Sequence, residues 1–356
     1  MSYERSYFHD ATQHTGRYPA DEALGIHSYY SPQVKRLSVK LAALLPYAEA
    51  EELMAELAQI SISDTTIWEQ VQEVGAAAEA YVEQEAQHHS ALPNLDEISA
   101  GITPSAVSLG VSMDGAKFNV RGEGWKEAKI GCVFTFAPTK PVSQTPSDTR
   151  RDVVQASDIT YVIHFGSPEP FGKRVWAESD QRGWLAACQT VVLGDGAPWI
   201  WNLADLHFPT STPIVDWYHA KQHLWEAAHL IYGTTSPKAQ AFVKRHEDHL
   251  YNGEVDRIAR AILRAAHPAS APSTATGLRR AAHYFTDNQS RMQFAQFQRD
   301  KLPIGSGTVE SGCKQFKDRF TKAGMRWSHD GAVNLMPLRA AVLSKRFDTL
   351  WATVCH

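Results

Sequence analysis

Three acidic residues stand at positions where an α/β protein could use them for chemistry. Asp195 lies between two glycines directly after residues 190–193, a β-branched apolar run that predicts a short buried strand. Asp114 ends a second strand-like run, residues 106–115, and Glu310 lies in the first turns of a predicted helix. A carboxylate at the carboxyl end of a buried strand sits where α/β sheets place their active sites.

Three carboxylates around one cleft would form a ligand set for Mg²⁺ or Mn²⁺. Two such ions about 4 Å apart would activate a water or a 3′-hydroxyl and stabilise the leaving oxygen of a phosphodiester. The alternative is that each acid is only a turn or cap residue. The predicted order of strands favours the metal site over that alternative, because it places the strands of Asp114 and Asp195 side by side.

Two further features follow Asp195 in the sequence. Asp216 and His219 form an Asp-x-x-His pair at a predicted strand-to-helix boundary. The histidine could orient a carboxylate or contact a phosphate, and as a bare pair a structural hydrogen bond is the favoured role. Trp199 and Trp201 are expected in the core, with stacking on a base as the alternative.

The carboxyl-terminal region carries a basic face. Residues 301–356 contain 9 Lys or Arg and 4 Asp or Glu, whereas residues 1–100 contain 5 and 16. In a chain of net charge −4, this asymmetry suggests a localised surface for a polyanion, and on charge alone a solvated charged helix is an equally open alternative. Arg326-Trp327 adds a ring that could stack on a base. The expected DNA contacts are Lys314, Lys317, Arg319, Lys322, Arg326 and Trp327.

The elements that must position these residues follow a recognisable order. Strands are predicted at 106–115, 128–136, 159–165, 190–193 and 214–216, with a helix over 171–187. The order β-β-β-α-β-α-β is typical of a mixed five-stranded sheet with helices on its faces. From His219 to about residue 298 the pattern is helical, interrupted at 268–277, which predicts an all-helical insertion.

The amino-terminal part is predicted to be helical and separate. Residues 1–30 are expected to form an extended arm, and residues 31–103 a helical domain followed by a linker. A helix, a short turn and a capped third helix ending at Gly75 are the outline of a helix-turn-helix DNA reader. The third helix contains no Lys or Arg, however, so a structural helical bundle is the favoured interpretation.

Bulk composition indicates an ordinary globular protein of several domains. The chain has 356 residues, 43% of them hydrophobic, and no apolar run approaches the roughly 20 residues of a membrane helix. It starts without a secretory signal pattern, and its four cysteines show neither paired nor zinc-ribbon spacing. We therefore expect a cytoplasmic location with reduced thiols.

Four stretches together carry a family resemblance. VSMDGAKFNVRGEGWKEAKIGCVF, VVLGDGAPWIWNLADLHFP, IVDWYHAKQHLW and LPIGSGTVESGCKQFKDRF resemble the DDE transposases of ISKra-type bacterial insertion sequences, which are relatives of the Mutator-like transposases. The resemblance spans nearly the whole chain. It implies a ribonuclease-H-like core over 104–218, an all-helical insertion over 219–300 and completion of the core by 301–356.

The resemblance also implies roles for the residues named above. Asp114, Asp195 and Glu310 would be the catalytic triad and the ligands of two Mg²⁺ or Mn²⁺ ions, and Asp216 with His219 matches an Asp/Cys-x-x-His signature. The implied activity is cutting and joining of DNA at transposon ends, by a homodimer or higher multimer on DNA. Two alternatives stay open: a DNA-binding remnant without catalysis, and a ribonuclease-H-like nuclease without strand transfer.

Overall fold

The chain is an α/β protein with a mixed five-stranded sheet and many helices. The computed structural model describes residues 6–10, 15–23, 30–89, 103–138, 154–266, 272–305, 307–321 and 325–355. The chain divides into two compact units, one formed by Met1–Tyr81 with Lys322–His356 and the other by Val82–Thr321. Within the described parts of the chain, no helix combines the length and apolarity that a bilayer crossing needs.

The strands in chain order are β1 Phe8–Asp10, β2 Thr15–Arg17, β3 Ser108–Val120, β4 Gly124–Pro138, β5 Val154–Phe165, β6 Gln189–Gly194 and β7 Thr212–Val215. The last five form the sheet of the larger unit, in the order β5-β4-β3-β6-β7. The central strand β3 pairs antiparallel with β4 and parallel with β6; β4–β5 is antiparallel and β6–β7 parallel. The predicted mixed five-stranded sheet is therefore confirmed.

Helices cover both faces of this sheet. The helices of the larger unit are α5 Pro168–Gln181, α6 Pro198–His207, α7 Trp217–Tyr232, α8 Pro237–Tyr251, α9 Val255–Ala265, α10 Pro272–Asp287, α11 Phe294–Arg299 and α12 Gly307–Phe320. Neighbouring residues on β4 face opposite sides: a Cβ at Gly131 would meet Phe171 of α5, whereas the Cys132 thiol contacts Thr308 of α12. The sheet thus lies between α5 and α12.

Strand β3 is longer than predicted. The sequence places its end at Asp114-Gly115, but the strand continues to Val120 and pairs with β4 along its whole length. The extension is stabilised by burial, because Phe118 is fully buried and its ring lies 5.0 Å from that of Phe320. Asp114 therefore lies within a strand whose outer half forms a two-stranded ribbon with β4.

Helices form most of the smaller unit. They are α1 Pro19–Ala23, α2 Pro32–Leu44, α3 Tyr47–Ala58, the first part of α4 Asp64–His88, α13 His329–Leu343 and α14 Phe347–Val354. The predicted end of the third helix at Gly75 is wrong, since α4 runs through that position without a break. Gly75 instead permits close packing: a Cβ there would lie 2.1 Å from the main-chain oxygen of Asn334.

Two predicted regions differ from the units observed. The range 301–356 is divided at Lys322, and α13 packs against α2 in the smaller unit. Of the predicted extended arm, the described residues form the antiparallel pair β1–β2 and the short helix α1. The expected linker at 90–103 lies almost entirely outside the described residues.

Two leucines of the larger unit test where its core lies. Leu109 on β3 is buried, whereas Leu206 on α6 is 55% exposed. We expect Leu109→Ala to lower the free energy of unfolding by about 2–5 kcal/mol, because it leaves a cavity in the sheet. Leu206→Ala should change it by no more than about 0.5 kcal/mol. Urea denaturation checks this, and equal effects of the two substitutions would contradict the assigned core.

Candidate active site

Strand register brings three acids to one edge of the sheet. Ser112 pairs with Leu193 across the parallel strands β3 and β6, so that Asp114 and Asp195, each two residues further on, lie at the same level. Gly194 pairs with Val215, which puts Asp216 beside Asp195. The main-chain N–H of Asp216 donates to Gly194 O at 2.8 Å and fixes this arrangement.

Asp114 is held by its own strand and by helix α12. Its Oδ1 accepts the N–H of Gly115 at 2.6 Å, and its Oδ2 accepts the thiol of Cys313 at 3.3 Å. Burial, followed by the charge of Asp114, raises the pKa of Cys313, so the thiol stays protonated and remains a donor. Because Cys313 lies one turn after Glu310, this contact ties the start of α12 to β3.

Asp195 lies in a tight turn between β6 and α6. Its Oδ1 accepts the N–H of Ala197 at 2.8 Å, so its own side chain stabilises the turn. Gly196 has a φ of +103°, a conformation that favours glycine. The hydroxyl of Tyr284 on α10 donates to the main-chain oxygen of Asp195 at 2.8 Å.

Asp216 and His219 form a hydrogen-bonded pair at the start of α7. Asp216 is fully buried, and its Oδ1 accepts the main-chain N–H of His219 at 2.8 Å and lies 3.1 Å from His219 Nδ1. The hydrogen bond to Asp216 raises the pKa of His219 to about 9; burial opposes this, and the charges of Asp216, Asp195 and Glu310 add to it. In the metal-free protein, His219 is therefore an imidazolium at neutral pH.

Glu310 lies close to His219 and interacts electrostatically with Asp114. Its side chain is 48% exposed, and its Oε1 lies 3.8 Å from His219 Nδ1. Burial and the negative charges of Asp216 and Asp114 raise the pKa of Glu310, whereas His219 lowers it. The segment before α12 is also anchored here, since Trp217 N–H donates to Ile304 O at 2.8 Å.

The donor atoms fit a divalent cation, but their closest grouping is not the predicted one. Ligand atoms of Asp216, His219 and Glu310 all lie within 4.8 Å of one another, and among the described residues Asp114, Asp195 and Glu310 form no group that tight. The negative charge of Asp114 raises the pKa of Glu310, and the negative charge of Asp195 raises the pKa of His219. Carboxylate oxygens suit Mg²⁺ or Mn²⁺, and an imidazole nitrogen suits Mn²⁺ better than Mg²⁺.

Helix α12 exposes part of the predicted basic face. Lys314 and Lys317 are exposed, and their spacing from Glu310 places all three on one side of the helix. Arg319 is only 1% exposed, so the prediction that it contacts DNA is wrong. Its position falls on the buried face of the helix, between the core residues Phe316 and Phe320.

The remaining predicted DNA contacts belong to the range that starts at Lys322. Trp327 is 7% exposed and its ring packs edge-on against Tyr47 at 6.3 Å, so it is not available for stacking and that prediction is wrong. Arg326 is exposed and lies in the smaller unit. Lys322 lies outside the described residues.

Of the two tryptophans after Asp195, Trp201 is buried in the core, as expected, whereas Trp199 is only half-buried. The ring of Trp199 contacts Phe171 edge-on and lies 4.9 Å from Lys129 Nζ. Trp201 is buried, with the guanidinium of Arg291 4.7 Å from its ring. Both rings are therefore occupied by protein contacts.

Sequence reasoning missed two residues that contact the acids. Cys313 was foreseeable, because it follows Glu310 by three residues and so lies nearly one helical turn away, on the buried side. Tyr284 carried no signal, since nothing in the helical segment after His219 indicates which side chain reaches the turn at Asp195.

The His219–Asp216 pair makes a testable electrostatic prediction for the metal-free protein. Asp216→Asn removes the negative charge and should lower the pKa of His219 from about 9 toward its ordinary value. Imidazole NMR resonances followed against pH measure this. His164, whose pKa burial lowers to about 4, is an internal control that should titrate alike in both proteins. An unchanged His219 titration in the variant would contradict the assigned pair.

In comparisons with known proteins, no family model matches the chain, and no curated protein matches it either. What the chain does is therefore inferred from its own residues and their geometry. The relevant facts are three acids at one sheet edge, a glutamate on a helix packed against that edge and a histidine between them.

Proposed function

We propose that the chain is a DDE-type DNA transposase that cuts and joins DNA at insertion-sequence ends. The observation that carries this proposal is the parallel register of β3 and β6, which brings Asp114 level with Asp195. Glu310 joins them through α12, whose Cys313 donates to Asp114. Carboxylates contributed by separate elements at one sheet edge suit phosphodiester chemistry that depends on divalent cations.

A ribonuclease-H-like core accounts for the topology. The first of the sheet's five strands in chain order, β3, lies at the centre. On one side β4 and β5 continue from it as an antiparallel meander, and on the other side β6 and β7 run parallel to it. The described residues between β7 and α12 are helical and hold no strand, which suits an insertion between the second aspartate and the glutamate. The sequence resemblance implies this same arrangement.

Asp114, Asp195 and Glu310 would hold Mg²⁺ or Mn²⁺ in this proposal. Such ions stabilise the charge that develops on a phosphodiester during attack by water or a 3′-hydroxyl. Hydrogen bonds from Ala197 and Gly115 orient the two aspartates before any ion arrives. Preorganised ligands of this kind lower the cost of reaching the productive geometry.

His219 has a separate part in the proposal. As an imidazolium it balances the charge of the surrounding acids, and Asp216 fixes its ring through Nδ1. In this proposal the other nitrogen of the imidazolium, Nε2, would donate to a phosphate oxygen of the DNA. Exposed Lys314 and Lys317 extend this positive surface along α12.

The β3–β4 ribbon offers an aromatic contact in place of Trp327. Trp125 is 64% exposed, and its partner in the register is Asn119. Exposed Lys117 and Arg121 lie on the same ribbon. An exposed ring among cations is suited to stacking on a base of DNA held across the acidic edge. A homodimer or higher multimer would bring two DNA ends together.

Two alternatives use the same geometry. A nuclease without strand transfer would need the same acids, and the assay for strand joining separates it from a transposase. A DNA-binding remnant would bind DNA without metal and without cutting. The hydrogen bonds that hold the carboxylates of Asp114 and Asp195 in place favour a catalytic site over the remnant.

Neutral analogues of the three acids test the catalytic assignment. We expect Asp114→Asn, Asp195→Asn and Glu310→Gln each to reduce Mn²⁺-dependent cleavage of transposon-end DNA at least about 10³-fold, because each removes a charge that the transition state needs. DNA affinity should stay within about threefold of wild type, less than 1 kcal/mol.

Asp205→Asn is the matched control, since Asp205 is an exposed acid on α6. It should cleave like the wild-type protein. Full cleavage by any of the three active-site variants would rule out the triad, and cutting without strand joining would favour the nuclease.

Salt dependence tests the role of α12 in DNA binding. Replacing Lys314 and Lys317 together by Ala should reduce the slope of log affinity against log salt by about 2, because each phosphate contact contributes about 0.9. Fluorescence anisotropy of labelled DNA measures the slope. The control pair Lys238→Ala and Lys244→Ala removes two exposed charges from α8 and should leave it unchanged. Equal slopes for both double variants would contradict the proposed surface.

A further inference from the structure

The turn that carries Asp195 is supported from outside the sheet. Strand β6 ends at Gly194, and the next acceptor along the chain is the main-chain oxygen of Asp195. That oxygen accepts the hydroxyl of Tyr284 at 2.8 Å. Tyr284 lies on α10, 89 residues further along the chain, within the helical segment between β7 and α12.

The ring of Tyr284 also packs on the residue that follows Asp195. A Cβ at Gly196 would lie 2.5 Å from Tyr284 Cε2, so the ring occupies the space that a side chain would need. Gly196 has a positive φ and imposes little conformational restraint of its own. Contact with the tyrosine therefore supplies restraint at the point where the backbone is freest.

A second helix holds the tyrosine in place. The ring centroid of His223 on α7 lies 3.7 Å from that of Tyr284. His223 Nδ1 is 3.2 Å from Glu226 Oε2, one turn further along α7. Helices α7 and α10 thus present the hydroxyl to the turn from a packed position, and Asp195 is clamped between its own strand and this helix pair.

We propose that Tyr284 is a positioning residue, which fixes the main chain of Asp195 so that its carboxylate is held where a metal-dependent phosphodiester reaction needs it. This inference rests on the proposed transposase function for its catalytic consequence. The helical segment between β7 and α12 then has a structural role at the site, because its Tyr284 fixes the main chain of Asp195. Groups that orient a metal ligand typically affect metal affinity or activity by about 10–100-fold when removed.

Tyr284→Phe removes the hydroxyl and keeps the ring on Gly196 and His223. We expect the affinity of the protein for Mn²⁺, without DNA, to fall about 10–100-fold, and the kcat of DNA cleavage to fall similarly while KM for DNA is unchanged. In the metal-free protein the amide resonance of Gly196 should shift, since the hydrogen bond to the preceding carbonyl is lost. Mn²⁺ EPR, steady-state kinetics and ¹⁵N NMR measure the three effects.

Tyr251→Phe is the matched control. Its hydroxyl donates to Gln298 Oε1 in the same helical segment. It should leave Mn²⁺ affinity, kcat and the Gly196 amide resonance at their wild-type values.

The outcomes separate this inference from the proposed function. If Tyr284→Phe matches Tyr251→Phe in Mn²⁺ affinity and in the Gly196 resonance, Tyr284 does not position Asp195 and the inference is overturned. If those two measurements differ as expected but no protein cuts DNA, the positioning role stands and the transposase proposal fails. If Tyr284→Phe changes only the KM for DNA and leaves kcat at the wild-type value, the positioning role is also overturned.

Discussion

Parallel pairing of β3 with β6 is the constraint on which the candidate site depends. A shift of that register by one residue would turn Asp114 or Asp195 to the opposite face of the sheet. The register is set by buried apolar side chains on both strands, among them Val111 and Val192, which are opposite each other. The same core packing that stabilises the sheet therefore aligns the two strands that carry these aspartates.

Bringing several carboxylates to one edge is unfavourable unless their charge is balanced, because like charges in a partly buried site repel. Two features of the site offset this repulsion between the carboxylates. His219 is a cation among Asp216, Asp195 and Glu310, and the neutral thiol of Cys313 donates to Asp114. In the proposed function, a divalent cation would take over this balancing charge.

The sequence predicts where the strands lie more accurately than it predicts which side chains are exposed. A β-branched run before Asp195 and an alternating run before Asp114 locate the two strands, because strand burial leaves a local signature, although β3 continues past Asp114 to Val120. Exposure is harder to predict, as helix α12 shows. Its basic residues form one cluster in the sequence, but the helical periodicity places Arg319 in the core and leaves Lys314 and Lys317 exposed. Tertiary contacts between distant residues, such as that of Tyr284 with Asp195, leave no local pattern and required the structure.

The central claim is that Asp114, Asp195 and Glu310 jointly hold the cation. Anomalous scattering from crystals soaked in Mn²⁺ tests it most directly. The account predicts Mn²⁺ with ligands from all three residues, bonded at about 2.1–2.3 Å, a range between the distances typical of Mg²⁺ and Ca²⁺. Mn²⁺ bound only by Asp216, His219 and Glu310, with both other aspartates remote from the ion, would contradict it, since the tight grouping seen without metal would then be the whole site.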